Sequence, residues 1–140
     1  MIRTKSSSVN MSNLNPRLLQ FAEDMSNKFD GLVITSANDA VHMKGSRHYI
    51  NKALDFGANS SEPTAYANFK AYLKANDKAL KEKYGLEDIL DEFNHIHVEM
   101  PLTDVEQKHV TSERVKLAIG ISLVAISIGI TIYIVRLKTK

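Results

Sequence analysis

Cysteine is absent from this chain of 140 residues, and its absence excludes both disulfide bonds and thiolate metal sites. Any bound metal must therefore be held by nitrogen and oxygen ligands. The sequence also lacks internal repeats and low-complexity tracts. Its charged N-terminus has no apolar stretch, which predicts that no secretory signal peptide is present. The length allows one domain with one short appendage.

Most of the chain has almost no net charge. Residues 1–116 carry 15 Lys and Arg against 16 Asp and Glu, a balance of −1. A nearly neutral domain argues against a nucleic-acid-binding protein. The formal net charge of +2 arises from three basic residues at the C-terminus, Arg136, Lys138 and Lys140.

The C-terminus contains one long hydrophobic run, 19 residues without a charge from residue 117 to residue 135. A helix of that length spans roughly 28 Å, close to the hydrocarbon thickness of a bilayer. Because the run is apolar on all sides, it predicts a transmembrane helix over residues 117–136. We expect this span to be both targeting signal and anchor. Its small residues are compatible with an oligomer formed through the span.

The predicted topology is single-pass. The basic tail, residues 137–140, favours the cytoplasmic side, which places residues 1–100 outside the cytoplasm. A polar connector over residues 101–116 would join the domain to the span. The sequence does not distinguish between anchoring in a bacterial inner membrane and anchoring in the membrane of a lipid-containing virion.

Residues 1–100 have the patterns of an α+β domain. Asn15-Pro16 and Glu62-Pro63 predict the starts of two helices, which end at Gly31 and Gly85. Short apolar runs predict four strands, with a turn at residues 92–94 between the last two. The predicted strands are residues 32–35, 52–56, 87–91 and 95–100. This order favours a small antiparallel sheet with flanking helices, and the polar residues 36–51 are expected to form an irregular loop.

Two short motifs contain metal-binding residue types. His48 and Asp55 are seven residues apart, and His95 and His97 alternate along the last predicted strand. Alternation directs His95 and His97 to one face of the sheet, where Asp55 of a neighbouring strand can meet them. Two imidazoles and one carboxylate are the ligands of a catalytic zinc that keeps one position open. The motifs predict a Zn²⁺ site made of His48, Asp55 and His97.

A zinc site of this kind activates a water molecule, which attacks a peptide carbonyl once a carboxylate accepts its proton. Asp91 and Glu92 lie just upstream of the histidine pair, and the sequence leaves open which of them is the base. Each histidine alone is more typical of a surface or hydrogen-bonding role. The combination of both motifs favours the metal site.

The run Ser46-x-His48-x4-Ala53-x-Asp55, followed by His95-x-His97, resembles the signature of the M15 zinc D-Ala-D-Ala carboxypeptidases. It also resembles the signalling domain of hedgehog proteins, which shares that fold. The resemblance covers roughly residues 10–100 and implies the same three zinc ligands. Small M15-like proteins are frequent in bacteriophages as peptidoglycan peptidases.

The resemblance implies roles for other residues. His95 matches a contact to the substrate or transition state, and His42 matches a histidine near the metal in the hedgehog pattern. Asp91 matches the hedgehog-type acidic residue. Lys44 or Arg47 would bind a substrate carboxylate, because the arginine that many members place after the serine at position 36 is missing here.

Two departures from the family pattern concern single positions. Asn51 stands where the family usually has glycine. Asn94 stands three residues before the last ligand, where the enzymes have glutamate or aspartate. The second departure is the reason why the base remains open between Asp91 and Glu92.

Three functions were weighed from the sequence. The leading hypothesis is a membrane-anchored zinc peptidase, encoded by a phage, that hydrolyses peptide bonds of bacterial peptidoglycan during cell entry or lysis. Its expected partners are a peptidoglycan peptide and a lipid bilayer. The second is a zinc-containing module that binds a wall peptide or a protein without cutting it. The third is a structural membrane protein without zinc.

Overall fold

A computed structural model of the protein describes residues 1–39, 41–58, 62–119 and 121. The helices are α1 (Pro16–Lys28), α2 (Pro63–Tyr84) and α3 (residues 104–119), with a 3-10 helix at Arg47–Ile50. The strands are β1 (Arg3–Thr4), β2 (Val33–Ser36), β3 (Ala53–Gly57), β4 (Asp88–Glu92) and β5 (His95–Glu99). The α+β class is therefore confirmed.

The five strands form one sheet in the order β1-β2-β3-β5-β4. The pairs β2–β3, β3–β5 and β5–β4 are antiparallel, as the sequence predicted. Strand β1 was not predicted and runs parallel to β2, with Arg3 opposite Val33. The sheet is therefore mixed, and the prediction of a wholly antiparallel sheet was wrong at this edge. Two exposed polar residues have no alternation that would have indicated a strand.

The helix starts predicted from proline are confirmed. Both α1 and α2 begin at a proline, and the Asn15 side chain accepts a hydrogen bond from the Arg17 backbone N–H (3.0 Å). Gly85 ends α2 in the left-handed conformation at φ +67°, which glycine adopts without steric cost. Helix α1 ends at Lys28, three residues before the predicted stop at Gly31.

The hydrophobic core lies between α1, α2 and one face of the sheet. Phe56 of β3 packs edge-on against Phe21 of α1, at 5.9 Å between ring centroids, and its ring is tilted against that of Phe69 of α2 at 5.0 Å. Ile96 and Val98 of β5 are buried on the same face. Because side chains alternate along a strand, burying these residues directs their neighbours to the opposite face. That opposite face carries the polar residues of the candidate site.

Helix α3 includes most of the predicted connector, residues 101–116. Its first turn has a capping box: the Glu106 carboxylate accepts hydrogen bonds from the backbone N–H and hydroxyl of Thr103, at 2.7 and 2.8 Å. Lys52 also donates to Glu106 (2.6 Å) and ties the helix to the residue before β3. Val110 is buried against the domain. The connector is thus a helix that packs on the domain.

In the described part of the chain, no helix is long and apolar enough to cross a membrane. The predicted span, residues 117–136, falls outside the described residues except for 117–119 and 121, and so does the basic tail 137–140. The transmembrane helix therefore stays a prediction.

The contacts of Glu106 predict an acid-sensitive packing of α3. The hydrogen bond from Lys52, followed by those from Thr103, lowers the pKa of Glu106 from 4.5 to about 2. Because the pKa is lower in the folded state, ionised Glu106 stabilises the fold above about pH 4.5, and this stabilisation is lost as the pH falls towards 2. We expect Glu106→Gln to lower the free energy of unfolding by about 0.2–1 kcal/mol at pH 7 and to weaken the acid dependence.

Urea denaturation followed by circular dichroism at pH 7 and pH 3 measures both effects. Glu23→Gln, at an exposed carboxylate of α1, is the matched control and should leave the difference between the two pH values unchanged. An equal effect of both substitutions would contradict the role assigned to Glu106.

Candidate metal centre

The predicted metal ligands meet on the polar face of the sheet. Asp55 of β3 lies opposite His97 of β5, and the 3-10 helix that precedes β3 supplies His48. The ligand atoms of His48, Asp55 and His97 all lie within 4.8 Å of one another. The antiparallel pairing of β3 and β5 accounts for this convergence. The structure thus brings together all three residues that the sequence predicted as ligands.

Asp55 is the centre of the cluster. Its Oδ1 lies 2.8 Å from His97 Nδ1 and 3.3 Å from His48 Nε2. The donors of a tetrahedral zinc with bonds of about 2.0–2.2 Å stand about 3.3–3.6 Å apart. Small adjustments of the side chains would therefore suffice to bind the ion. Asp55 and His48 are both buried, with exposed fractions of 8% and 2%.

The orientation of His48 suits a metal ligand. Its Nδ1 lies 2.6 Å from the backbone carbonyl of Ala37 and donates a hydrogen bond to it. Because a carbonyl oxygen can only accept, Nδ1 carries the proton of this bond, and Nε2 is the ring nitrogen that faces Asp55. Metal-binding histidines usually donate their other ring N–H in this way, which fixes the tautomer and the ring.

His97 has a comparable partner in Glu99. The Nε2 of His97 lies 3.3 Å from Glu99 Oε2, while its Nδ1 faces Asp55. An imidazole between a ligand position and a carboxylate is typical of zinc sites. Glu99 was not predicted from the sequence. The signal was present, because His95, His97 and Glu99 alternate along β5 and share one face.

The residues at both ends of the 3-10 helix that carries His48 stabilise it. The Ser46 hydroxyl accepts a hydrogen bond from the His48 backbone N–H, and Asn51 closes the turn at φ +60° and ψ 29°. Asparagine tolerates this left-handed conformation better than most residues other than glycine. Asn51 therefore serves where the M15 pattern has glycine, and the ligand set is preserved.

The electrostatics of the cluster favour positive charge. Burial lowers the pKa of His97, but the hydrogen bonds to Asp55 and Glu99 outweigh it and raise the pKa to about 9. Burial alone would raise the pKa of Asp55, yet His48 and His97 hold it well below its ordinary value. The hydrogen bond to His97 also lowers the pKa of Glu99. Two ionised carboxylates therefore stabilise a positive charge here, which a divalent cation between neutral imidazoles would also provide.

The two remaining histidines of the domain border the cluster. His95 Nε2 lies 3.8 Å from Asp55 Oδ1 and 3.1 Å from Glu92 Oε2. The ring of His42 stacks on that of His48 at 3.9 Å between centroids. Burial, followed by the charge of His48, lowers the pKa of His42. Both residues are thus adjacent to the candidate ligands.

The two acidic candidates for the base lie on opposite faces of the sheet. Glu92 pairs with His95 in the register of β4 and β5 and borders the cluster. Asp91 is directed to the other face, where its carboxylate forms a 2.7 Å ion pair with Lys70 of α2. Alternation along β4 is the physical reason. Asp91 therefore does not reach the three candidate ligands, contrary to the prediction that it borders the site.

Arg47 has structural partners. Its guanidinium forms an ion pair with Glu87 and donates to the backbone carbonyl of Met100 (2.7 Å), and its Nε lies 3.3 Å from Glu99. The side chain is only 11% exposed. Arg47 therefore holds the ends of β4 and β5 together and positions Glu99. Because its guanidinium is engaged in these contacts, Arg47 does not fit the predicted role of binding a substrate carboxylate. Lys44 is exposed on the rim of the site.

The cluster opens into a cleft of about 830 Å³. One wall is the polar face of β4 and β5, and the loop before the 3-10 helix forms another. Helix α3 contributes Arg114, Leu117 and Ala118, and Ile121 continues the same wall. The sequence analysis did not predict this wall. The capping box Thr103-x-x-Glu106 was the available signal for the helix.

Comparisons of the chain with family models, with curated proteins and with solved structures find no match. The resemblance to M15 peptidases therefore rests on the residues of the two motifs. Independently of this resemblance, the structure shows an α+β domain in which His48, Asp55 and His97 form a cluster that could hold a metal ion inside a cleft.

Proposed function

We propose that this chain is a zinc-dependent peptidase that hydrolyses peptide bonds of bacterial peptidoglycan, encoded by a phage and active in cell entry or lysis. The observation that carries the proposal is the convergence of His48, Asp55 and His97 in a cleft, with a carboxylate–imidazole pair beside them. Three ligands leave one position of a tetrahedral zinc open, as in catalytic sites. The substrate class comes from the resemblance to M15 enzymes.

In this proposal, Nε2 of His48, Oδ1 of Asp55 and Nδ1 of His97 hold the zinc ion. Zinc bound there supplies a Lewis acid that makes water more acidic and polarises a carbonyl group. The protein contributes the orientation of the ligands. Ala37 fixes His48 through its carbonyl oxygen, and Glu99 fixes His97.

Glu92 and His95 supply the proton transfers. His95 Nδ1 donates to Asn94 Oδ1 (2.6 Å), and its Nε2 lies 3.1 Å from Glu92 Oε2. Such a pair can accept a proton from water at Glu92 Oε2 and pass it to the leaving amine. His95, together with His42, would then stabilise the negative charge that develops on the carbonyl oxygen.

A second function is favoured by Asn94. This amide stands where the related enzymes have a carboxylate, three residues before the last ligand, and it is bonded to His95. A chain without that carboxylate would retain zinc and bind a wall peptide or a protein without cutting it. The two functions differ in whether Glu92 replaces the missing base.

We also propose that residues 117–136 anchor the chain in a bilayer, either a bacterial membrane or that of a lipid-containing virion. The support is the uncharged run of 19 residues and the basic residues that follow it.

The test is digestion of purified peptidoglycan by the full chain in mild detergent, with products identified by mass spectrometry. We expect soluble fragments or released amino acids from the zinc-loaded protein, none after treatment with a chelator, and recovery when zinc is added back. Retention on peptidoglycan without any release would support the binding module. A chain that takes up no zinc by elemental analysis would contradict both functions.

A further inference from the structure

Tyr49 follows His48 in the 3-10 helix, and its side chain lies against the loop that precedes this helix. The Tyr49 hydroxyl accepts a hydrogen bond from the backbone N–H of His42 (2.8 Å) and donates one to the backbone carbonyl of His42 (2.7 Å). The two rings meet edge-on, at 5.7 Å between centroids and 83° between planes. A single side chain thus contacts both the backbone and the imidazole of His42.

Ser36, the last residue of β2, contacts the same imidazole from the sheet. Its Oγ lies 3.2 Å from Nε2 of His42, and its backbone lies opposite Asp55 in the pairing of β2 with β3. The ring of His42 lies flat on that of His48, with 3.9 Å between centroids and 2° between planes. The place of His42 beside the candidate metal centre is therefore set by Tyr49 on one side and Ser36 on the other.

His42 needs this support because it lies in a loop. Among the described residues of the segment 37–46 there is no helix or strand, so no regular backbone hydrogen bonding fixes it. Val41 and Met43, on either side of His42, are 98% and 79% exposed, and burial does not anchor them. Tyr49 is itself 48% exposed, so its hydroxyl is not there to complete the hydrophobic core.

We infer that Tyr49 is a positioning residue of the proposed reaction, because its hydroxyl holds His42 where that imidazole contacts the negative charge developing on the substrate carbonyl. The inference rests on the proposed function and adds a residue to it. A group that is in place before the reaction stabilises the transition state more than one that must be ordered during it. Tyr49 acts through His42 and does not itself touch the substrate.

The test is Tyr49→Phe in the full chain, with zinc and mild detergent, since this change removes the hydroxyl and keeps the ring. On a soluble peptidoglycan stem peptide we expect kcat to fall roughly 3- to 10-fold, the usual effect of a lost neutral hydrogen bond, with KM and zinc content within about twofold of the wild type. Tyr72→Phe is the matched control, because Tyr72 lies on α2 and does not line the cleft.

A double variant distinguishes positioning of His42 from a general loss of stability. In a His42→Ala background, Tyr49→Phe should reduce kcat by no more than about twofold further, because the effects of residues that act through one contact are not additive. The inference is overturned if the two reductions multiply, or if Tyr49→Phe behaves like Tyr72→Phe.

A wild type without peptidase activity would contradict the proposed function, and the position of His42 is then measured directly. Hydrogen exchange followed by mass spectrometry of peptides that contain His42 reports on its backbone N–H, which bonds to the Tyr49 hydroxyl. We expect Tyr49→Phe, but not Tyr72→Phe, to accelerate exchange at this amide roughly 3- to 10-fold. Equal exchange in the wild type and in Tyr49→Phe would refute the positioning role.

Discussion

Replacing His97 with alanine is expected to remove zinc from the full chain and to abolish release of peptidoglycan fragments. His97 is the candidate ligand that two carboxylates share, because buried Asp55 and half-buried Glu99 each bond to one of its ring nitrogens. Without the imidazole, two ligands remain and the carboxylates lose their shared partner. Changes outside the ligand shell cost roughly 10- to 100-fold in metal affinity, and we expect the loss of a ligand to exceed that range.

Elemental analysis of the purified variants and competition with a coloured chelator measure this loss. The matched control is His109→Ala, because His109 is the fifth histidine of the chain, exposed on α3 and outside the metal cluster. His95→Ala should also retain zinc while losing activity, since His95 is a neighbour of the ligands and not one of them. Full zinc content in His97→Ala would refute the assignment of the ligands.

The elements that the sequence predicts well are those whose signals are local. Prolines at helix starts and Gly85 at a helix end restrict the backbone directly. The alternation of His95 and His97 with Ile96 and Val98 indicates a strand with one polar face. The polar residues of β3 and β5 then meet once the two strands pair, which is how three distant ligands were found.

The elements that were missed depend on contacts across the chain. The parallel pairing of β1 with β2 joins residues about thirty positions apart, and neither strand residue of β1 is apolar. Helix α3 is partly exposed and has little apolar periodicity, so its capping box was the only local signal. The cleft wall that it forms follows from its packing against Gly45.

The choice between Asp91 and Glu92 shows why the register of a strand matters for a site. Successive residues face opposite sides of a sheet, so a shift by one position would exchange the two carboxylates. The segment Asp88–Glu92 has no clear alternation of polar and apolar residues, and its sequence therefore cannot fix its register. In the fold, pairing with β5 directs Asp91 to Lys70 and Glu92 to His95.

Because Asp91 and Glu92 face opposite sides of the sheet, we expect different results from isosteric variants at these two positions. Glu92→Gln is expected to reduce kcat for peptide hydrolysis by about 10²- to 10⁴-fold, the usual contribution of a general base, with zinc content unchanged. Asp91→Asn should leave kcat within about twofold of the wild type and cost at most about 1 kcal/mol of stability, because it removes only an exposed ion pair with Lys70.

Both variants keep the shape of the side chain, so the comparison isolates the charge on each face of the sheet. Steady-state kinetics on a soluble peptidoglycan stem peptide, with elemental analysis of the same samples, separates loss of the base from loss of the metal. Equal losses in the two variants would mean that neither carboxylate acts on the substrate directly. A fully active Glu92→Gln variant would remove the base from the proposed mechanism, and the binding module favoured by Asn94 would then account better for a zinc-loaded cleft.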